Sequence, residues 1–477
     1  MIKRTIKILL AAAEAEPFVK IGGLGDYAGS LPLELQQHFT HIDVRLVIPF
    51  HGCIETDIGK LNQIMTIEFN FGGNQKKAEI FQTKVDGLCI YLIRPIPPYD
   101  DPAVYYMNAE KNSRKYAFFS LACLEMLKAI QWQPNVIHAN DWHTSFLVLK
   151  LNQLRVKENI YKPIRTLLTI HNLGYMGGDS SKLLKKLGLA MRTPIKELPT
   201  WAINQPLPLG LVHADQISTV SPNYSKEILS HEFGYGLEKI LKKRSKNLTG
   251  ILNGINQTKW DPATDHKIAT QFSLKKIEQR CENKIYLQEL LNLKKDINTP
   301  LLGVISRMDT QKGIDIIISA TPLLTNHSWQ LVILGSGSHE IEQACIQLEK
   351  KYPQCVRVVL RFDDKLAHQI YAGADMLLIP SRYEPCGTTQ MIAMRYGCIP
   401  IAHSTGGLKD TIMHEKNGYL FKKSSPDSLA QILEKAIHCF KLQPNEWRHI
   451  QHSAMKSNFS WEKSAQKYVN IYLQMIS

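Results

Sequence analysis

The sequence has few features of membrane, secreted or metal-binding proteins. No apolar run reaches the roughly 20 residues that a transmembrane helix needs, so we expect no membrane association. The short run from Ile8 to Ala13 superficially resembles a signal peptide, but Glu14 and Glu16 place charges directly after it, and a buried first strand is favoured. The nine cysteines are scattered without a C-x-x-C pair, which argues against zinc sites and a disulfide framework. A reducing cytoplasm is the expected location.

The formal net charge is +14 at pH 7, and part of the excess is concentrated between Lys239 and Lys246. Such a cluster could bind nucleic acid, attract an anionic substrate or form a solvated helix face, and the last interpretation is favoured. No helix-turn-helix, zinc-finger or RNA-binding signature accompanies the cluster, so we expect no nucleic-acid partner. A serine hydrolase is not supported either, because the sequence lacks a G-x-S-x-G elbow.

The length and composition indicate a globular protein with two domains. A chain of 477 residues is too long for one hydrophobic core, and its 44% apolar and 21% charged residues are ordinary values. We predict a first domain over residues 1–250 and a second over residues 251–455. A last helix over residues 456–477 is predicted to pack back on the first domain.

Apolar runs of strand length alternate with amphipathic stretches through most of the chain. This pattern is typical of α/β proteins whose parallel sheets are covered by helices on both faces. A helix is predicted over Arg114 to Ile130, and hairpin strands are predicted over residues 60–95. The other predicted strands are 6–13, 44–49, 136–139, 166–170 and 216–220 in the first half, and 301–305, 330–334, 355–360, 376–379 and 398–402 in the second.

Two turns that suit phosphate come after predicted strands, one in each half. Glu384, Cys386 and Gly387 lie just past the strand at 376–379, and Lys20 precedes a glycine pair, Gly22-Gly23, after the first strand. Open α/β sheets bind ligands at the carboxyl ends of their strands, where helix amides can receive a phosphate. The two turns therefore predict a ligand held between two domains.

Arg307 and Lys312 follow a strand and open a helix, which suits a diphosphate clamp, although two solvated loop cations would show the same spacing. Glu384 could bind a donor sugar and stabilise positive charge near a reacting carbon, or merely cap the next helix. No base lies near Cys386 in sequence, so we assign this cysteine to packing and backbone contact. The later pair Gly406-Gly407 could close the phosphate site.

Other polar residues at strand ends have two possible roles. Asp141 and His171 could bind sugar hydroxyls or form a pair that fixes a loop, and they have too few partners for a metal site. Asp26 could cap the helix after the glycine pair or accept hydrogen bonds from sugar hydroxyls. Phe362 could offer an aromatic face to a base or be an ordinary core residue.

Eight motifs occur in order across nearly the whole chain: KIGGLGDY, HANDWHTSF, TIHNLGYMG, TVSP, GILNGIN, SRMDTQKG, YAGADMLLIPSRYEPCGTTQ and STGGLKDT. In this ordered set the chain closely resembles the bacterial glycogen synthase and plant starch synthase family. The resemblance implies the GT-B fold, in which two doubly wound Rossmann-like domains face a cleft. It also implies transfer of glucose from ADP-glucose to the non-reducing 4-hydroxyl of an α-1,4-glucan such as a glycogen primer, with retention of configuration. Neither a metal nor another cofactor is implied, since ADP-glucose is a substrate.

The resemblance also assigns roles to matched positions. The first domain would bind the glucan acceptor and the second the nucleotide sugar. Retention without an obvious protein nucleophile resembles a front-face mechanism, in which the leaving phosphate helps to deprotonate the incoming hydroxyl. Catalytic roles fall on Glu384, His171, Asp141, Arg307 and Lys312, and donor contacts on Lys20, Gly22, Gly23, Asp26, Asn253, Phe362, Cys386, Gly387 and Thr389.

The chain departs from the family pattern at a few positions. Ile21 replaces the usual threonine, and Tyr27 and Thr388 replace residues that are usually aliphatic. The alternative in which the same fold uses UDP-glucose or a small sugar acceptor therefore stays open, as does a glucan-binding protein with a decayed site. Broader retaining GT-B enzymes have a second glutamate eight positions after Glu384. This chain has Ile392 there, which supports the narrower family.

Overall fold

The computed structural model describes residues 5–55, 61–99, 101–191, 195–325 and 328–477. The chain divides into two compact units, which we call unit 1 (Met1–Gly254 with Trp461–Ser477) and unit 2 (Ile255–Ser460). The divisions lie within a few residues of the predicted boundaries after residues 250 and 455. Within the described ranges, no helix is long and apolar enough to cross a membrane.

Unit 1 contains a sheet of nine strands in the order β3-β4-β5-β2-β1-β6-β7-β8-β9. Only β4 runs antiparallel to its neighbours, so the hairpins predicted over residues 60–95 are confirmed as an antiparallel meander. The strands are β1 (Ile6–Ala11), β2 (Ile42–Pro49), β3 (Asn62–Phe71), β4 (Asn74–Val85), β5 (Leu88–Ile96), β6 (Val136–Asn140), β7 (Arg165–Ile170), β8 (Gln216–Thr219) and β9 (Leu248–Gly250).

The helices of unit 1 are explained by capping residues and apolar spacing. The helix α2 begins five residues before the predicted start, because the side chain of Asn108 accepts a hydrogen bond from the Lys111 amide and caps it. Its buried face includes Phe119, Cys123 and Met126, as the spacing predicts. The helices are α1 (Gly23–His38), α2 (Ala109–Ala129), α3 (Ser145–Lys157), α4 (Ser181–Lys186), α5 (Pro206–His213), α6 (Pro222–Glu227) and α7 (Glu238–Lys243).

Unit 2 contains a wholly parallel sheet of six strands in the order β12-β11-β10-β13-β14-β15. Its strands are β10 (Leu301–Ile305), β11 (Gln330–Leu334), β12 (Val356–Val359), β13 (Met376–Ile379), β14 (Ile399–His403) and β15 (Tyr419–Phe421). Its helices are α8 (Arg280–Leu290), α9 (Ile314–Ala320), α10 (His339–Lys351), α11 (Asp364–Gly373), α12 (Thr389–Arg395), α13 (Gly406–Thr411), α14 (Pro426–Leu442) and α15 (Pro444–Lys456).

Both sheets reverse their strand order at one position. Counted from β10, the sheet of unit 2 has the order 3-2-1-4-5-6 of dinucleotide-binding domains, and the reversal lies between β10 and β13. In unit 1 the corresponding reversal lies between β1 and β6. Connections leave such a point in opposite directions, so the loops after these strands border a crevice where open α/β sheets bind ligands.

The last helix, α16 (Trp461–Ile476), belongs to unit 1, although the chain of unit 2 precedes it. The Tyr472 hydroxyl lies 2.7 Å from His138 Nδ1 on β6, and the ring of Trp461 packs edge-on against Tyr27 of α1 at 5.6 Å between centroids. These buried contacts hold α16 beside the sheet of unit 1, where the sequence predicted that it returns.

Candidate functional site

The reversal point of unit 2 brings Lys312 and Glu384 together. Lys312 follows β10 and Glu384 follows β13, and Lys312 Nζ donates a hydrogen bond of 2.6 Å to Glu384 Oε2. Ser381 Oγ donates to the same oxygen at 3.0 Å. Asp309 fixes the turn before Lys312 by accepting its backbone amide at 3.1 Å. The result is a buried carboxylate whose position is set by an ammonium and a hydroxyl group.

Arg307 lies on the same turn, half-exposed and 3.3 Å from Asp309 Oδ2. The turn rests on the loop after β11, which sequence reasoning missed. A Cβ on Gly335 would lie 1.8 Å from the Ser306 carbonyl oxygen, so only glycine fits there, and the Met308 amide donates to the Ser336 carbonyl at 2.9 Å. The available signal was the G-x-G spacing of residues 335–337 directly after a strand.

The loop after Glu384 is held by backbone contacts with the pair Gly406-Gly407. A Cβ on Gly406 would lie 1.8 Å from the Glu384 carbonyl oxygen, and one on Gly407 would lie 2.0 Å from that of Cys386. The Gly407 amide donates to the Glu384 carbonyl at 3.0 Å. The structure thus gives this pair a supporting role under the Glu384 loop, and its closing of a phosphate site stays a prediction.

Gln390 completes the loop and was also missed. Its side-chain amide donates to the carbonyl oxygens of Cys386 at 3.1 Å and Gly387 at 2.8 Å. Cys386 is buried, in line with the packing role predicted for it, and Thr389 is the first residue of α12. Phe362 is 87% exposed, so its interpretation as a core residue is wrong. An exposed ring remains available to stack on a flat ligand.

In unit 1, Asp141 directly follows β6 with φ at +56° and ψ at −171°, a backbone conformation that residues other than glycine rarely adopt. Its buried carboxylate accepts the backbone amide of His171, which follows β7, at 2.7 Å. Burial raises the pKa of Asp141 to about 7, although the amides of His171 and Asn172 act to lower it. The carboxyl group therefore gains or loses its proton near neutral pH.

His171 contacts Asp141 through its backbone rather than its ring. The ring Nε2 lies 2.9 Å from Asn140 Oδ1, and the ring of Tyr27 packs edge-on against it at 4.5 Å between centroids. Burial lowers the pKa of His171 to about 3, so the imidazole is neutral at physiological pH. Asp141 therefore fixes the loop through the backbone of His171, as the loop-fixing interpretation proposed. The neutral ring of His171 lies separately beside Asn140 at the end of β6.

The glycine turn after β1 is organised by Glu14, which sequence reasoning did not single out. The buried Glu14 carboxylate accepts the backbone amides of Ile21 and of Gly22, the latter at 3.2 Å. Burial raises the pKa of Glu14 more than these amides lower it. Of the glycine pair that the sequence offered to a phosphate, the Gly22 amide is thus already donated within the protein. Gly23, by contrast, has open space where a Cβ would be.

Lys20 is anchored by two carboxylates, with its Nζ 2.6 Å from Asp26 and 3.3 Å from Glu16. Burial acts to lower the pKa of Lys20, but the negative charges of Asp26 and Glu16 outweigh it and raise the pKa above its usual value. Of the two roles open to Asp26, capping of α1 is wrong, because Gly22 occupies the cap position and Asp26 lies in the first turn. Asp26 orients Lys20 instead.

Asn253 belongs to unit 1, although the predicted boundary placed it in the second domain. The reason is that the chain after β9 continues the sheet, with the Ile251 amide 2.8 Å from the Thr219 carbonyl, and that Ser464 of α16 donates to the Leu252 carbonyl. Asn253 is buried, and its Oδ1 has no hydrogen-bond partner among the described residues. Unsatisfied buried oxygens are rare, and this one could accept a hydrogen bond from a ligand.

The residues named above offer cations, hydroxyls and amides rather than a set of metal ligands. Across the five described ranges, no group of three or more histidine, cysteine, aspartate or glutamate side chains is arranged to hold a metal ion. Lys312 and Arg307 could instead bind an anionic group such as a diphosphate.

Comparison with known proteins identifies both units. Residues 7–243 match the family described as starch synthase catalytic domain, and residues 291–448 match the family described as glycosyl transferases group 1. Starch synthase IV from Arabidopsis thaliana, solved as its catalytic domain with ADP and acarbose bound, aligns over 99% of both chains with a TM-score of 0.90 and 32% identity. The fold and the site define a glycosyltransferase with the GT-B fold, as the sequence predicted.

Similarity over the whole chain narrows this class. Glycogen synthase from Thermotoga maritima is 35% identical over 99% of both chains, and glycogen synthase from Petrotoga mobilis is 38% identical over 98% of both. The chain belongs to the glycogen synthase and starch synthase family.

Proposed function

We propose that the protein transfers glucose from ADP-glucose to the non-reducing 4-hydroxyl of an α-1,4-glucan with retention of configuration. The observation that carries this proposal is the Lys312–Glu384 ion pair at the point where the strand order of unit 2 reverses. The similarity of the chain to glycogen synthases gives this pair its chemical context. The starch synthase IV structure with ADP and acarbose supports ADP as the nucleotide and a glucan as the acceptor.

In this proposal, unit 2 binds the nucleotide sugar. Arg307 and Lys312 neutralise the diphosphate, whose negative charge grows as the glycosidic bond breaks. Glu384 accepts hydrogen bonds from glucose hydroxyls and stabilises the oxocarbenium-like sugar. Thr389 and the backbone of Cys386 and Gly387 contact the phosphate and sugar, and the exposed ring of Phe362 stacks on the adenine base.

Unit 1 supplies the groups that surround the acceptor and the remaining donor contacts. Asp141 and the neutral ring of His171 contact the reacting glucose. The unpaired Oδ1 of Asn253 accepts a hydrogen bond from the nucleotide sugar. No side chain is assigned as a covalent nucleophile. In this mechanism the incoming hydroxyl attacks the sugar from the same face as the leaving phosphate, and the phosphate takes the proton of that hydroxyl.

Kinetics with two donors test the proposal. We expect radiolabelled glucose to be incorporated into glycogen with a kcat/KM for ADP-glucose on the order of tenfold or more above that for UDP-glucose, a ratio that corresponds to at least 1.4 kcal/mol. Digestion by β-amylase should release the label as maltose, because the new units are α-1,4-linked at non-reducing ends. A preference for UDP-glucose, or transfer only to a small sugar, would establish the alternative function.

Gly23→Ala tests the glycine turn without disturbing the fold. The new Cβ has no neighbour within 4 Å, and alanine favours the first turn of α1, so we expect the melting temperature to be unchanged or slightly raised. If the donor approaches this backbone, the methyl group should raise the KM for ADP-glucose about tenfold, equivalent to roughly 1.4 kcal/mol. The KM for glycogen serves as the internal control, and an unchanged donor KM would remove Gly23 from the donor site.

A further inference from the structure

Three exposed aromatic side chains lie on separate segments of unit 1. Tyr175 follows β7, Trp201 lies in a short helical turn before α5, and Tyr235 lies between α6 and α7. Their exposed fractions are 52%, 48% and 38%, respectively. Single exposed apolar residues are common on protein surfaces, but a contiguous group marks a binding surface.

Two glycine contacts show that these segments touch. A Cβ on Gly174 would lie 3.4 Å from Tyr235 Cζ, so the Tyr235 ring packs against the backbone beside Tyr175. A Cβ on Gly236 would lie 3.0 Å from Trp201 Cζ2, so the chain directly after Tyr235 packs against the indole ring. The segments that carry Tyr175, Tyr235 and Trp201 are therefore in contact, and we call these three exposed side chains the aromatic ridge.

The backbone at the centre of the aromatic ridge is strained. Tyr235 has φ at +48°, a left-handed conformation that is unfavourable for a bulky side chain, and Gly236 follows with φ at +79°. Glycine or asparagine would adopt the conformation of Tyr235 at lower cost. Strain of this kind persists where surrounding contacts impose it and is concentrated at functional sites.

The aromatic ridge begins close to His171, which we assign to the reacting glucose that the acceptor must approach. Gly174 is two residues beyond Asn172, whose Oδ1 accepts its amide at 3.0 Å, and Asn172 directly follows His171. A chain bound with its end at Asp141 and His171 can therefore continue over the aromatic ridge. Tyrosine and tryptophan suit such a chain, because their faces pack on the C–H faces of sugar rings while their polar edges stay in water.

We propose that the aromatic ridge binds the α-glucan acceptor at glucose units behind the one that reacts, an inference that rests on the proposed function. The ridge would give long acceptors an advantage that short ones lack, because only acceptors with units behind the reacting one can contact it. It would not change the affinity for the nucleotide sugar.

Kinetics with acceptors of two lengths test this. The double variant Tyr175→Ser/Trp201→Ser removes two exposed rings, and Tyr235→Asn removes the third with a residue that accepts a positive φ. We expect each variant to raise the KM for maltoheptaose about tenfold, as expected for a loss of roughly 1.4 kcal/mol. The KM for maltose and for ADP-glucose should change less than about twofold. Tyr286→Ser is the matched control, since Tyr286 of α8 is 39% exposed and lies in unit 2.

Affinity electrophoresis in gels with and without glycogen tests the aromatic ridge independently of turnover. Wild-type protein and Tyr286→Ser should be retarded by glycogen, whereas the ridge variants should migrate faster, with melting curves showing that all are folded. If glycogen retards the wild type but no nucleotide sugar supports transfer, the proposed function fails and the aromatic ridge stands. Equal retardation of all variants, or an equal rise of KM for maltose and maltoheptaose, would overturn the ridge.

Discussion

Glu384→Gln is expected to lower the kcat for glucose transfer by about 10²–10³-fold, the range seen when a preorganised electrostatic contact at a reacting centre is lost. Glutamine keeps the shape of the side chain and one oxygen toward Ser381, but it removes the negative charge that contacts Lys312 and that we propose to face the sugar. The KM for the donor should change less than kcat, because charge develops on the sugar only as the bond breaks.

Two further variants separate a catalytic role from a structural one. Lys312→Met should also lower activity, and the double variant should be little worse than the more damaged single variant if the two side chains act as a unit. Glu340→Gln, at an exposed position on α10, is the matched control for loss of a carboxylate. A Glu384→Gln enzyme that folds normally and keeps more than about a tenth of the wild-type kcat would rule out the catalytic role.

The strands at the centre of unit 2 could be predicted from the sequence, because parallel strands buried on both faces are nearly continuous apolar runs. The predicted bounds of β10, β11 and β13 agree with the structure at both ends. The strands β9 and β15 were missed, since three residues at a sheet edge show no periodicity. The first strand was predicted too long because Ala12 and Ala13 are buried although they lie beyond β1.

The positions of the candidate site could be predicted from strand ends, whereas its hydrogen bonds could not. Glu384 and Lys312 follow neighbouring strands of a parallel sheet, so the sequence could place them at one edge. The roles of Glu14 and Gln390 depend on backbone groups that only the folded loops bring within reach. For the same reason the sequence could pair Asp141 with His171 but could not indicate that the contact uses the His171 amide.

Asp141→Asn is expected to lower kcat by about 10²-fold while making the protein more stable at neutral pH. The pKa of Asp141 rises from its ordinary value of 3.8 to about 7 in the folded protein because the carboxyl group is buried. The folded state therefore holds a proton that the unfolded state has released between these values, and stability falls as the pH rises through that interval. Asparagine avoids the cost of burying a charge and keeps an acceptor for the His171 amide.

The stabilisation by Asp141→Asn should consequently grow between about pH 4 and pH 7 and level off above, where it should amount to a few kcal/mol in urea unfolding. If the ionised carboxylate acts on the reacting sugar, wild-type kcat should fall as the pH drops below about 7, and the variant should lose this dependence. Asp427→Asn, an exposed position on α14, is the control for both measurements. If the variant retains wild-type kcat, Asp141 serves only to fix the loop. If the variant is less stable than the wild type at pH 8, the charge of Asp141 is needed for folding. The two measurements together decide whether this buried carboxylate is retained for the reaction at the expense of stability.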